Sequence, residues 1–163
     1  MKLAKSKGGI WLLSNGLQSY FSLKEHYASC SCCGMVELDE RLIDKLQQLS
    51  ISARSRFTIT SATRCEEHNK KIGGSDKSLH LPITRAADIQ DINISIDKLF
   101  FHAVLLFNGV GLYQGKYGAY MHVDLREKKS YWYKGVKGYI YFRNPKICFT
   151  NAAKTLYNID KKI

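Results

Sequence analysis

Ser95-Ile96-Asp97-Lys98-Leu99-Phe100-Phe101-His102-Ala103-Val104-Leu105-Leu106-Phe107-Asn108-Gly109 is the stretch on which the fold class turns. Ile96, Leu99, Phe100, Ala103, Val104 and Phe107 recur at i, i+3, i+4, i+7, i+8 and i+11. That spacing gives one apolar face of a helix, opened by Ser95 and closed by Asn108-Gly109. Beyond it the pattern changes. Residues 110–113, 120–125, 131–133 and 139–142 read as strands separated by Gly- and Lys-containing turns. Upstream, Leu38, Leu42, Leu46 and Leu49 alternate with Glu40, Arg41, Lys45 and Gln48, which predicts an amphipathic helix over about 38–49. A β-branched stretch at 55–61 predicts a strand. Thr63 with Glu66 has the form of a capping box for a short helix that Gly73-Gly74 ends. A loop over 74–84 and a strand over 86–92 follow. Helices first or interspersed and then an antiparallel meander make this an α+β chain: one domain over 1–163, an antiparallel sheet with helices packed mainly on one side.

The bulk composition permits such a domain and narrows its partners. Of 163 residues, 45% are hydrophobic and 24% charged, enough to bury a core. The longest apolar run, 103–107, is far too short to cross a bilayer, so no membrane insertion is expected. The apolar stretch at 10–13 is too short for a signal peptide, which predicts cytoplasmic synthesis. With 25 basic against 14 acidic residues the net charge is +11, which attracts polyanions: nucleic acid, anionic lipid or the anionic polymers of a bacterial envelope. No arginine-rich run or zinc-finger spacing localises this charge, so nucleic acid is not expected as a partner. The five cysteines are an odd number, which argues against a disulfide framework. Cys30, Cys32 and Cys33 are close enough to share a metal but lack a matching Cys/His pair downstream, and reduced thiols are the expectation.

Among His26, His68, His80, His102 and His122, two lie near carboxylates. In Ser78-Leu79-His80 followed by Arg85-Ala86-Ala87-Asp88-Ile89, a loop histidine precedes a carboxylate at the start of a strand. In Tyr120-Met121-His122-Val123-Asp124-Leu125-Arg126, the pleat sends His122, Asp124 and Arg126 to one face. Two imidazoles and a carboxylate make a common catalytic zinc set with a fourth position left for water, and hydrolysis is the chemistry such a set serves. Spacing alone leaves each of these histidines equally readable as a packed or surface residue.

The order of several blocks goes further. Ser61-Ala62-Thr63-Arg64-Cys65-Glu66-Glu67-His68-Asn69, Gly73-Gly74 through Ser78-Leu79-His80, Ala86-Ala87-Asp88-Ile89, Gly109-Val110-Gly111-Leu112-Tyr113 and the His122 strand together resemble the signature of the D-Ala-D-Ala zinc peptidases, relatives of Hedgehog and lysostaphin. The resemblance spans about 21–132 and leaves 133–163 as C-terminal strands and tail. It implies one catalytic Zn2+ held by His80, Asp88 and His122. Arg64 is expected in the catalytic site, binding a carboxylate or carbonyl of the substrate, and Ser78 orienting substrate or metal loop. Two departures stand out. Seven residues, 81–87, separate His80 from Asp88 and include Pro82 but no Gly, where relatives place six with a Gly; the loop has to bulge by one residue. Ala119 stands where many relatives carry an acid. Asp124 is therefore the candidate general base, with orientation of His122 as its alternative role; Glu127, on the opposite strand face, is a weaker candidate.

The resemblance implies peptidoglycan as the partner and a cell-wall endopeptidase, endolysin-like and monomeric, made without a signal peptide and acting on the wall, as the function. A D-Ala-D-Ala carboxypeptidase or dipeptidase shares the same zinc site. A catalytically inactive module that binds zinc or peptidoglycan is the alternative from another class. Tyr131, Trp132, Tyr133, Tyr139 and Tyr141 are either packing or a carbohydrate-stacking surface. A cysteine hydrolase using Cys65 with His68 is the weakest reading, because no third orienting group accompanies the pair.

Overall fold

Gly8 and Gly9 both take positive φ, 59° and 77°, the geometry of a two-residue turn whose twist matches that of paired strands. They join β1 (Ser6–Lys7) to β2 (Ile10–Leu12), and β3 (Gln18–Ser22) completes a three-stranded antiparallel sheet absent from the sequence reading. A computed structural model describes residues 2–22, 28–91, 94–115, 118–135 and 137–156; His26 and Ile92 lie outside them. Among the described residues no helix is long and apolar enough to cross a membrane.

The first helix, α1 (Glu40–Ala53), is capped by Asp39, whose carboxylate accepts from the Arg41 N–H, and ends at Arg54 in the left-handed region at φ 52°. It runs one turn beyond the predicted end because Ser50 and Ala53 also face inward. Then come β4 (Thr58–Ser61) and α2 (Glu66–Lys71). The expected capping box does not form. Cys65 caps α2, while Thr63 is buried and its hydroxyl accepts from Glu37 N–H and from the Thr84 hydroxyl. The chain continues through β5 (Ala86–Gln90), α3 (Ile96–Leu106), β6 (Gly109–Gly115), β7 (Gly118–Asp124), β8 (Ser130–Gly135), β9 (Gly138–Phe142) and α4 (Pro145–Leu156). The last helix was not read from sequence, although Asn144-Pro145 is a regular helix start and the Asn144 side chain accepts from Lys146 N–H.

Strands β4 to β9 form one sheet in the order β4-β5-β7-β6-β8-β9. Every pair is antiparallel except β6 with β8, which is parallel. The expected meander is thus broken once: after β7 the chain crosses to the far side of β6. Asn108 secures that crossing, its amide donating to the Arg126 carbonyl at 2.8 Å and its own carbonyl accepting from Ser130 N–H at 2.7 Å. The architecture is α+β, a single domain with one mixed and one antiparallel sheet.

Alternation then divides the large sheet into two faces with different jobs. Ala87 and Ile89 of β5, Val110 and Leu112 of β6, Met121 and Val123 of β7, and Tyr131 and Tyr133 of β8 join the core with Leu42, Leu46, Leu49, Leu99, Phe100 and Ala103 from the helices. Each such large side chain, taken fully from water, contributes about 1.5–3 kcal/mol. The residues between them, Asp88, Gly109, Gly111, His122, Asp124 and Trp132, belong to the opposite face.

Candidate metal centre

Strands β5 and β7 are neighbours, and their register sets Asp88 opposite His122 and Ala86 opposite Asp124. His80 arrives from the preceding loop. Its carbonyl accepts from Arg64 N–H at 2.8 Å and from the Thr84 hydroxyl at 3.0 Å, and its N–H donates to Ser78 Oγ at 3.3 Å. The loop is pinned further by Thr84 N–H on the Glu37 carbonyl. Beside Asp88 the neighbouring strand carries a register shift: between Ile59 and Ser61, β4 advances two residues while β5 advances one, and Thr60 donates its hydroxyl to the Asp88 carbonyl.

Three side-chain atoms converge. His80 Nε2 and His122 Nδ1 are 3.1 Å apart, His122 Nδ1 and Asp88 Oδ1 2.9 Å, and His80 Nε2 and Asp88 Oδ1 3.4 Å. Their partners on the outer side fix what each nitrogen carries. His80 Nδ1 lies 2.6 Å from the Ala62 carbonyl; a carbonyl only accepts, so Nδ1 bears the proton and Nε2 turns a lone pair inward. His122 Nε2 lies 3.0 Å from Asp124 Oδ2, which holds the proton there and turns Nδ1 inward. Two lone pairs and a carboxylate oxygen facing one another at these distances require a positive charge between them. In the metal-free chain a proton serves. Burial holds His80 below the ordinary histidine value, while at His122 the effect of burial is outweighed by hydrogen bonds to Asp124 and Asp88, which raise it to about 9. Burial would raise Asp88, but His80 and His122 hold it well below the carboxylate range.

The same triangle fits zinc. Ligands on bonds of about 2.0–2.1 Å in tetrahedral array stand about 3.3 Å apart, within the observed spread. Residues His80, Asp88 and His122 also offer one ligand atom each within a common 4.8 Å.

The surroundings hold this set in place. Asp124 is 0% exposed. Its Oδ1 accepts from Arg126 N–H and Nε, and its Oδ2 from His122 and Arg126 Nη2, the last at 2.6 Å. Burial would raise its carboxyl, yet His122 and Arg126 keep it well below the usual range. Gly109 and Gly111 on β6 make the room: a Cβ on Gly109 would stand 2.1 Å from Asp124 Oδ1, and one on Gly111 2.4 Å from the Trp132 indole. Trp132 donates to the Tyr113 hydroxyl at 2.8 Å and lies under the Arg126 guanidinium, 4.5 Å from it. Gly109-Val110-Gly111 is recognisable in the sequence as part of a motif, but this role is not, because it depends on strand order.

Arg64, which the sequence suggests as a substrate contact, is tied to the candidate triad: its Nη2 donates to Asp88 Oδ2 at 2.6 Å and its Nε to Ser61 Oγ at 3.3 Å. Ser78 is half-buried beside His80. The remaining described histidines are elsewhere. His68 faces Ser31 Oγ at 3.3 Å, and His102 is on α3. Cys65 does not turn its sulfur to the His68 ring; Sγ accepts the His68 backbone N–H and faces Cys30 and Cys32, so a Cys65–His68 nucleophile–base pair is not formed.

His80, Asp88 and His122 open onto a cleft of about 690 Å³. Arg64, Lys77, Arg126 and Lys134 line it with Trp132, Tyr139 and Tyr141, and among the described residues its only carboxylates are Asp88 and Asp124. The aromatic run is therefore split: Tyr131 and Tyr133 pack in the core, and Trp132, Tyr139 and Tyr141 face the cleft. No curated protein and no solved structure matches the chain. The family model described as Peptidase M15 matches residues 19–124, well over half of the chain and all of the converging triad. The chain belongs to the peptidase M15 family, whose members are zinc-dependent metallopeptidases.

Proposed function

We propose that the chain hydrolyses a peptide bond within the stem peptide of bacterial peptidoglycan, as a cell-wall endopeptidase of the endolysin type acting as a single chain. The observation that carries this reading is the cleft itself. The triad lies in an open groove where Lys77 and Lys134 join Arg64 and Arg126, while both lining carboxylates are already engaged. Such a groove favours a peptide bearing several free carboxylates, as stem peptides do. Its aromatic wall of Trp132, Tyr139 and Tyr141 suits the apolar faces of peptide or sugar. The net charge of +11 favours retention on an anionic wall.

His80, Asp88 and His122 hold the metal, and bound there zinc supplies Lewis-acid polarisation of the scissile carbonyl and activation of water. Asp124 keeps His122 in the tautomer that presents Nδ1. Its buried oxygens are occupied by His122 and Arg126, which leaves it the orienting role in preference to that of general base. Arg64 aligns Asp88 through Oδ2 and presents the rest of its guanidinium to the groove, where a substrate carboxylate or carbonyl fits the fork. Ser78 steadies the His80 backbone at the rim.

Mass spectrometry of the fragments released from purified peptidoglycan tests the proposal, with chelator-treated protein and His122→Ala alongside. Chelator-sensitive release of internal stem-peptide fragments is expected. Release of terminal D-Ala alone would replace the reading with a carboxypeptidase. No release from walls of several chemotypes by zinc-loaded protein would leave a binding module.

A further inference from the structure

Cys65, the residue after Arg64, brings a fourth sulfur to the three cysteines near the N-terminus. Cys30, Cys32, Cys33 and Cys65 place their sulfurs within 4.8 Å of one another. Cys30 and Cys32 are 3.5 Å apart, Cys30 and Cys65 3.7 Å, and Cys32 and Cys65 3.1 Å. Four thiolates on zinc bonds of about 2.3 Å would stand about 3.8 Å apart, whereas a disulfide holds its sulfurs at about 2.05 Å. The observed separations are nearer the first, and the sulfurs do not divide into two pairs: Cys30, Cys32 and Cys65 each face two others. The fifth cysteine, Cys148, is buried on α4 and takes no part.

The local backbone is built around these sulfurs. Gly34, at φ 70°, reverses the chain, and Gly34 N–H to the Cys30 carbonyl with Cys30 N–H to the Met35 carbonyl closes the loop that gathers Cys30, Cys32 and Cys33. Two backbone N–H groups donate to sulfur: Cys65 to Cys30 Sγ and His68 to Cys65 Sγ, each at 3.4 Å. Both suit thiolate acceptors better than thiols.

We propose that Cys30, Cys32, Cys33 and Cys65 form a second, structural zinc site, separate from the His80–Asp88–His122 centre. The closed four-sulfur set, with no open position for water, is that of a metal that holds chain segments together. It fastens the 30–35 loop to the cap of α2. Between the two metals runs Ala62-Thr63-Arg64, where the Ala62 carbonyl holds His80, Thr63 N–H donates to the Ala28 carbonyl at 2.9 Å, and Arg64 holds Asp88. The second ion therefore braces the segment that orients two of the three candidate catalytic ligands. This inference stands on residues outside the catalytic triad and does not depend on the peptidoglycan reading.

The test uses the full chain with His80→Ala and His122→Ala, which removes the first site, loaded with Co2+ under reducing conditions and dialysed. The expected result is one tightly held cobalt per chain with the intense ultraviolet charge-transfer absorption of a thiolate-ligated ion, lost when Cys32→Ser and Cys65→Ser are added. Failure to retain cobalt, or a retained ion without thiolate charge transfer, overturns the proposal. So does a disulfide among these cysteines, found by alkylation and mass spectrometry of the native chain. Should the serine variants unfold by circular dichroism, protection of the four thiols from alkylation by Zn2+ in the cysteine-intact chain decides: protection relieved by chelator supports the site, and equal labelling with and without zinc refutes it.

Discussion

Replacing Asp124 with Asn keeps the shape of the side chain and removes its charge. In the native chain Oδ2 accepts a hydrogen bond from His122 Nε2–H at 3.0 Å, while Oδ1 and Oδ2 together accept four contacts from Arg126. An amide has one acceptor oxygen and one NH2 group that only donates, so it cannot accept on both sides as the carboxylate does. If its oxygen faces His122, its NH2 confronts the Arg126 guanidinium. If its NH2 faces His122, the imidazole must move its proton to Nδ1, the atom that faces His80 and Asp88. Either choice weakens the metal set. Loss of a partner that fixes a ligating histidine costs about 10–100-fold in metal affinity, which corresponds to about 1.4–2.7 kcal/mol. Breaking a fully buried pair costs about 3–5 kcal/mol, but Arg126 is 32% exposed and water takes part of the load, so about 2 kcal/mol of stability is expected to go.

The assay has two arms: zinc affinity by competition with a chromophoric chelator, and turnover of a stem-peptide substrate at saturating zinc. Orientation of His122 predicts weaker zinc binding with turnover largely restored when zinc saturates the site. A general base would leave zinc affinity unchanged and cost about 10²–10⁴ in rate. Unchanged affinity with turnover lost at full zinc occupancy refutes the orienting role and returns Asp124 to the proton chemistry.

Titration of the metal-free chain tests the proton in the triangle. Burial alone would lower His122, but Asp124 and Asp88 raise it to about 9; a raised folded value means its stabilisation is complete below an ordinary value of about 6.5 and disappears as pH rises through 9. The metal-free melting temperature should fall across that window. Zinc affinity should rise across the same window, with about one proton released per ion bound at pH 7; a flat melting profile without proton release contradicts this. Gly111→Ala forces a methyl to within 2.4 Å of the Trp132 indole and breaks its bond to Tyr113. Overpacking of this kind costs about 1–3 kcal/mol, a drop of about 2–12 °C in melting temperature for a chain of this size, and an unchanged melt would show that Trp132 is not locked against β6. Arg64→Lys keeps a charge but loses the fork across Asp88 and substrate; a fall of about tenfold or more in kcat/KM is expected, and wild-type kinetics would remove Arg64 from the site.

What could be read from sequence was what is local. The face of α3 follows from spacing within a single segment, and it lies where the periodicity put it. The strand alternation that sends His122, Asp124 and Arg126 to one side is equally local, and the hydrogen bonds among them follow it. The crossing from β7 to β8 was missed because nothing within either strand says which neighbour it pairs with; the Asn108 contacts that secure it span some twenty residues. Cys65 is absent from the cluster that the sequence suggests for Cys30, Cys32 and Cys33, because its sulfur faces cysteines more than thirty residues away. The bond of Arg64 to Asp88 is hidden for the same reason. Thr63 misled because its motif has the right letters, but burial against Glu37 and Thr84 uses its hydroxyl elsewhere. The β1–β2 turn, by contrast, did carry a local signal in Gly8-Gly9.

Anomalous diffraction at the zinc edge from crystals of the zinc-loaded full chain tests the central claim most directly. The account predicts a peak about 2.0–2.1 Å from His80 Nε2, Asp88 Oδ1 and His122 Nδ1 together, with His122 Nε2 still donating to Asp124. Absence of a peak at that triangle, or a metal bound through His122 Nε2 with Asp124 as a ligand, would contradict it.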